Sequence, residues 1–210
     1  GKTVTLADIK VQIEIAAATA ETVNVVKNSA AKGTFSLVAP PMNFTIRGVY
    51  GDSTIDVAKF NAYVERTIAI PTGTDPNKIT TGVVVDPDGT VRHVPTKIVV
   101  IDGKYYAQIN SLTNSAYAVV WHPLAFGDMA NHWAKDAVND MGSRMVISGS
   151  GDDSFNPDAD ITRAEFAAIL VRGLGLAPEQ GATGFSDVSA SAWYNDSVHT
   201  AYAYGLIKGF

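Results

Sequence analysis

The stretch "ITRAEFAAIL", residues 161–170, brings together residue types that could receive an anion. Thr162 and Glu165 have the Ser/Thr-x-x-Glu spacing of a capping box, in which the threonine hydroxyl accepts the Glu165 N–H and the glutamate carboxylate accepts the Thr162 N–H. Phe166, Ile169 and Leu170 follow at helical spacing, and Gly173 is the expected stop. Arg163 stands outside this grammar. At the first helical position it opposes the helix dipole, at a cost of about 0.3–1 kcal/mol when exposed. Two readings are open. Arg163 bonds a nearby carboxylate such as Asp158 or Asp160, or its guanidinium and the free N–H groups of the first turn converge on an anion from outside the chain.

The other chemistry-bearing residues read as structural. Asp152, Asp153, Asn156, Asp158 and Asp160 form an acidic loop without the spacing or the glycine of an EF-hand, so turns and caps are expected and no metal site. His93, between Arg92 and Val94, is expected on a solvated strand face. Tyr105, Tyr106 and Trp121 could stack on a sugar, but the adjacent tyrosines must face opposite sides of a strand, so core packing is expected. Asp86, Asp88 and Asp102 sit in turn sequences, where aspartate bonds locally. No Asp/Glu pair has a motif context for acid–base glycoside cleavage, so neither catalysis nor a cofactor is expected of these residues.

Composition excludes further classes. The 210 residues include no cysteine, which rules out disulfides, thiolate metal sites and cysteine nucleophiles. A formal charge of −5 argues against a nucleic-acid partner. No apolar run approaches the roughly 20 residues that span a bilayer, so membrane insertion is not expected. The opening "GKTVTLADIK" lacks the hydrophobic region of a signal peptide, so an export signal is expected upstream.

The elements that position these residues fall into two parts. Residues 1–124 carry 11 Lys/Arg against 10 Asp/Glu and are rich in Val, Thr and Ile; residues 125–210 carry 5 against 11 and are rich in Ala, Asp, Trp and Gly. The first part reads as β structure. "KVQIEIA" alternates with period two, Pro40 and Pro41 separate two strands, and "TIDVAKFNAYVERTIAIP" supplies more. Asp88-Gly89 and Asp102-Gly103 are hairpin signals, "AYAVVWHP" would close the sheet, and "TAETVNVVKNSAA" fits a short helix or a strand with a loop.

The second part contains an internal repeat. Phe126 matches Phe185, Asp128 matches Asp187, Trp133 matches Trp193, Ile147 matches Ile207 and Gly149 matches Gly209, with one insertion before the tryptophan. In each copy a helix is expected near the tryptophan, with Trp133, Ala137, Val138 and Met141 on one face, then a turn and a short buried "VISG" segment. Phe-x-Asp, His-Trp-Ala, Ile-x-Gly, Phe-x-Pro, Ile-Thr-Arg-Ala-Glu and Gly-Leu-Gly-Leu, in this order, resemble the S-layer homology domain. Together these readings predict an α+β multidomain chain. An N-terminal antiparallel β-sandwich-like module spans 1–124, a complete α-helical S-layer homology repeat 125–177, and a partial second repeat 184–210.

The resemblance implies non-covalent anchoring of an exported protein at the surface of a Gram-positive-type bacterium. The partner would be secondary cell-wall polysaccharide, often bearing pyruvate ketals, held in grooves between repeats. It places the Thr-Arg-Ala-Glu motif at those grooves, making Arg163, Thr162 and Glu165 ligand-binding candidates. Ser148 and Gly149 would lie in a turn lining the groove. Trp133 would stack on a sugar or pack as core, the helical phase favouring core; Asp128 would cap the first helix. Met145 and the Asp152-Asp153 pair depart from the family, which carries glycine there. If those glycines supply positive φ, the groove of the first repeat is altered or inactive. The incomplete second repeat leaves a helix face open and predicts self-association or weak binding of wall polymer. Two other functions stay open: the C-terminal part of a carbohydrate-active enzyme, and a carbohydrate-binding or adhesive module in the β part.

Overall fold

The computed structural model describes residues 5–181 and 184–209. The chain divides into two compact units, Gly1–Val91 with Thr96–Trp121, and Arg92–Pro95 with His122–Phe210. The first is dominated by antiparallel sheets and the second by helices, which makes the chain α+β.

The strands are β1 (Lys10–Ala17), β2 (Ser36–Leu37), β3 (Met42–Tyr50), β4 (Ser53–Asp56), β5 (Lys59–Ala69), β6 (Thr81–Val85), β7 (Val91–Val94), β8 (Thr96–Ile101), β9 (Lys104–Thr113) and β10 (Ser115–Trp121). One sheet of the first unit runs β1-β3-β10-β6, with β2 also on β10 and β4 also on β3; the other runs β5-β9-β8. The alternating "KVQIEIA" is β1, an edge strand. The strand expected to close the sheet, β10, is instead central, bonded to β2 and β3 on one side and to β6 on the other. Its residues Tyr117, Ala118, Val119 and Val120 are all fully buried, so an uninterrupted apolar run marks a strand covered on both faces.

Local chemistry sets the connections. Asp102 and Gly103 join β8 to β9 with φ of +49° and +74°, the doubly positive pair that matches the twist of a two-residue hairpin. The segment expected as helix or strand is α1 (Ala20–Lys32), capped by Thr19, whose hydroxyl accepts the Thr22 N–H. Val26 and Ala30 bury its inner face, and Ser29 Oγ donates to the Gly89 carbonyl at 2.7 Å. The two sheets meet over Val84, Ile109 and Val119, all with 0% exposure. Gly82 marks the closest approach, because a Cβ there would stand 2.7 Å from Ile109 Cδ1.

Arg66 is buried in this core with no carboxylate partner among the described residues. Its Nη1 donates to the Val64 and Ser111 carbonyls and its Nη2 to the Thr113 carbonyl. Its guanidinium lies 4.9 Å from the Tyr117 ring centre and 5.7 Å from that of Phe60, so carbonyl dipoles and ring faces replace its water shell.

The second unit contains α2 (Lys135–Ser143), α3 (Arg163–Gly173) and α4 (Asn195–Ala203). Its core is Phe126, Met129, Val146, Ala167, Ala168, Val171, Val198 and Ala201. The two copies pack alike: a Cβ on Gly149 would stand 2.8 Å from the Phe126 ring, and one on Gly209 would collide with Phe185. The Ile-x-Gly glycine thus leaves room for the phenylalanine of its own copy.

Four expectations are corrected in this unit. Trp133 does not share the helix face, because α2 begins two residues after it; its side chain is 91% exposed. The helix expected to stop at Gly173 includes it, and Gly175, φ +62°, terminates it. His93 is buried rather than solvated, and burial pushes its pKa down to about 4, with Arg144 adding and Asp140 opposing. In "VISG" Val146 is buried, but Ser148 and Gly149 are exposed.

Candidate functional site

The capping box forms as the spacing requires. Thr162 Oγ1 accepts the Glu165 N–H at 3.2 Å, and Glu165 Oε2 accepts the Thr162 N–H at 2.8 Å and its hydroxyl at 2.7 Å. These bonds hold the Glu165 carboxyl below the ordinary range, the Thr162 N–H contributing most. The box fixes the first turn of α3, and Arg163 is its first residue.

Two grooves flank α3. One, of about 730 Å³, has Ser148, Gly149 and Asn156 on one wall and Glu165, Ile169 and Arg172 of α3 on the other, with Trp193 of the second copy at its side. The other, of about 770 Å³, opens at the start of α3. Thr162, Arg163 and Phe166 line it together with Phe185, Asp187 and Lys208 of the second copy.

Asp128 organises the loop of the first groove. Its carboxylate accepts the Phe155 N–H at 3.0 Å and the Asn156 N–H at 2.7 Å. Those two N–H groups, Phe155 first, lower its pKa. The expectation that it caps the first helix is thus corrected: its carboxylate ties the start of its repeat to the loop 28 residues on. Asp152, Asp153 and Asn156 in this loop have φ of +49°, +55° and +60°. The positive-φ backbone is thus kept where the family's glycine is absent, at about 1–2 kcal/mol per ordinary L-residue and less for Asp and Asn. The Gly151 bridge to Ser154 and the Ser150 N–H bond to the Ser154 carbonyl close the turn.

Residues 125–167 and 184–210 match the S-layer homology domain family. The helical unit is an S-layer homology region. It is 30% identical over 168 residues to an amylopullulanase of Thermoanaerobacterium thermosulfurigenes, covering 80% of this chain and 9% of that protein. It is 37% identical over 98 residues to endo-1,4-beta-xylanase A of Thermoanaerobacterium saccharolyticum, 47% of this chain and 8% of that protein. It is 35% identical over 115 residues to a surface layer protein of Brevibacillus choshinensis, 49% of this chain and 10% of that protein. The chain therefore spans about a tenth of the length of these curated relatives. No solved structure matches it significantly. Cell-wall anchoring is the general role of an S-layer homology region.

Within this region the six candidate residues separate. Ser148, Gly149 and Glu165 face the first groove, Thr162 and Arg163 the second, and Trp133 lines neither. Two residues were not singled out as site residues from sequence. Arg172 donates to Ser148 Oγ at 2.8 Å, has no carboxylate partner among the described residues, and has its pKa lowered by burial. Trp193 is 65% exposed on the same groove. The signal for Trp193 was its match to Trp133 in the repeat. Arg172 gave none, since a cation in the last turn of a helix reads as an ordinary dipole partner. In the first unit Tyr105, Tyr106 and Trp121 are half-buried, and Lys78 Nζ lies 5.3 Å from the Trp121 ring centre.

Proposed function

We propose that the two grooves hold secondary cell-wall polysaccharide of a Gram-positive-type wall, and that an acidic substituent, a pyruvate ketal, is what the arginines read. The carrying observation is Arg172: a partly buried guanidinium bonded, among the described residues, to the Ser148 hydroxyl and facing a groove beside an exposed tryptophan. Such a fork can bond a carboxylate bidentately, and the Trp193 ring can lie against an apolar sugar face. Arg163 offers a second guanidinium beside the N–H groups of the α3 start, a local anion receptor. Thr162 and Glu165 act by fixing that turn, since their polar atoms are engaged with each other. Gly149 serves by its lack of a side chain. The proposal gives these residues binding alone, without a reaction or a cofactor.

The test is calorimetric titration with purified secondary cell-wall polysaccharide, before and after mild acid removal of its ketals. Binding is expected to vanish with the ketal. Arg172→Ala and Arg163→Ala should each weaken it about ten-fold or more, the loss of one charge-assisted contact of about 1.5–3 kcal/mol. Equal affinity for the ketal-free polymer would overturn acid recognition; wild-type affinity in both arginine variants would move the site elsewhere.

A further inference from the structure

We infer that β1 is the docking edge for β1 of a second copy of this chain. Among the described residues β1 pairs with β3 alone, from Lys10 opposite Val49 to Ala17 opposite Met42, and ends the strand order of its sheet. Its apolar row is uncovered: Val11, Ile13 and Ile15 are 69%, 65% and 60% exposed. The row continues across the sheet, because Val11 is opposite Gly48 and Gly48 is opposite Ile55, itself 71% exposed. Natural sheets blunt such an edge with charges, proline, bulges or a covering element. β1 has no proline and pairs with β3 without a register shift.

The strand is complementary to its own reverse. Lys10 and Glu14 lie on the face opposite the apolar row, with Gln12 between them. Antiparallel pairing with Gln12 opposite the second copy's Gln12 puts Lys10 opposite the second copy's Glu14, and Glu14 opposite the second copy's Lys10. On the other face Val11 meets the second copy's Ile13, and Ile9 its Ile15. Both faces are thus matched in a single register, the isologous arrangement of a two-fold dimer. Arg47, bonded to Glu14 and to Asp56, holds the Glu14 carboxylate on the polar face.

The experiment is sedimentation equilibrium of the 210-residue chain, comparing wild type, Lys10→Glu and the double variant Lys10→Glu/Glu14→Lys, with circular dichroism confirming that each is folded. The wild type is expected to pass reversibly to twice its 22.2 kDa mass. Lys10→Glu, which sets like charges opposite one another twice, should weaken the dimer about ten-fold or more. The double variant should restore it in part, re-forming both pairs with exchanged signs while giving up the Arg47 bond to Glu14. A chain that stays monomeric, or a dimer indifferent to Lys10→Glu, would overturn the proposal; the second result would assign association to another surface, such as the S-layer homology region.

Discussion

Replacing Met145 by glycine is expected to stabilise the S-layer homology region, and replacing Gly205 by methionine to destabilise it. Both residues follow a helix end of the same geometry. After α2 the Met145 N–H bonds the Gly142 carbonyl and the Val146 N–H bonds the Met141 carbonyl; after α4 the Gly205 and Leu206 N–H groups bond the carbonyls of Tyr202 and Ala201. This double bond pattern demands a left-handed residue, and φ is +63° at Met145 and +69° at Gly205. A left-handed L-residue costs about 1–2 kcal/mol, and glycine gives back about 0.5–1 kcal/mol through its freer unfolded chain. A net loss of about 1 kcal/mol follows for Gly205→Met, where a Cβ would meet nothing within 4 Å. Met145→Gly gains less, about 0.5 kcal/mol, because the half-buried methionine side chain forfeits some contact. Thermal unfolding followed by circular dichroism should place the midpoints about 5 °C lower for Gly205→Met and about 2–3 °C higher for Met145→Gly. A destabilised Met145→Gly together with a neutral Gly205→Met would refute the strain argument.

Three further outcomes follow. His93 is neutral and buried in the fold, with its pKa at about 4 against about 6.5 when unfolded. The unfolded chain therefore binds the extra proton between those values. Stability is fully present above about pH 6.5 and falls as the pH drops towards 4, by on the order of 3 kcal/mol; urea unfolding of wild type and His93→Gln at pH 7 and 4.5 should show this loss in the wild type alone. Arg66→Ala should cost about 3–5 kcal/mol in urea unfolding, since it opens a cavity and removes the donor from the Ser111 and Thr113 carbonyls. Asp128→Ala should leave the helices intact by circular dichroism yet weaken polysaccharide binding several-fold, because the loop walling the groove loses its two N–H tethers.

What sequence could reveal here was local or repeated. The capping box, the doubly positive Asp102-Gly103 turn and the strand alternation of β1 each involve residues within a few positions of each other, so their physics is contained in the string. The repeat added distance information, since matching Gly149 to Gly209 also matches their phenylalanine neighbours. Trp133 escaped because helical phase was carried two residues past the start of α2, where no helix constrains it. His93 escaped because a strand residue between an arginine and a valine looks half-solvated, while the charges that act on it in the fold, Arg144 and Asp140, lie far along the chain. The central place of β10 was hidden likewise, because pairing with β2, β3 and β6 is a fact of topology and not of the strand's own sequence.

The placement of charge bears on how the grooves select. Residues 125–210 carry 5 Lys/Arg against 11 Asp/Glu, and three of those five cations, Arg163, Arg172 and Lys208, line the two grooves. An anionic polymer is thus repelled by most of this surface and attracted at a few points. Salt acts on these terms unequally. It screens the long-range repulsion, which acts over more than the roughly 8–10 Å Debye length, more than a direct contact at the partly buried Arg172. Raising salt from about 0.05 to 0.3 M should therefore leave affinity nearly flat, where a broad basic patch would lose affinity steeply. Titrations across that range decide the matter: a steep fall would mean that diffuse attraction holds the polymer, and that the two arginines are not its specific receptors.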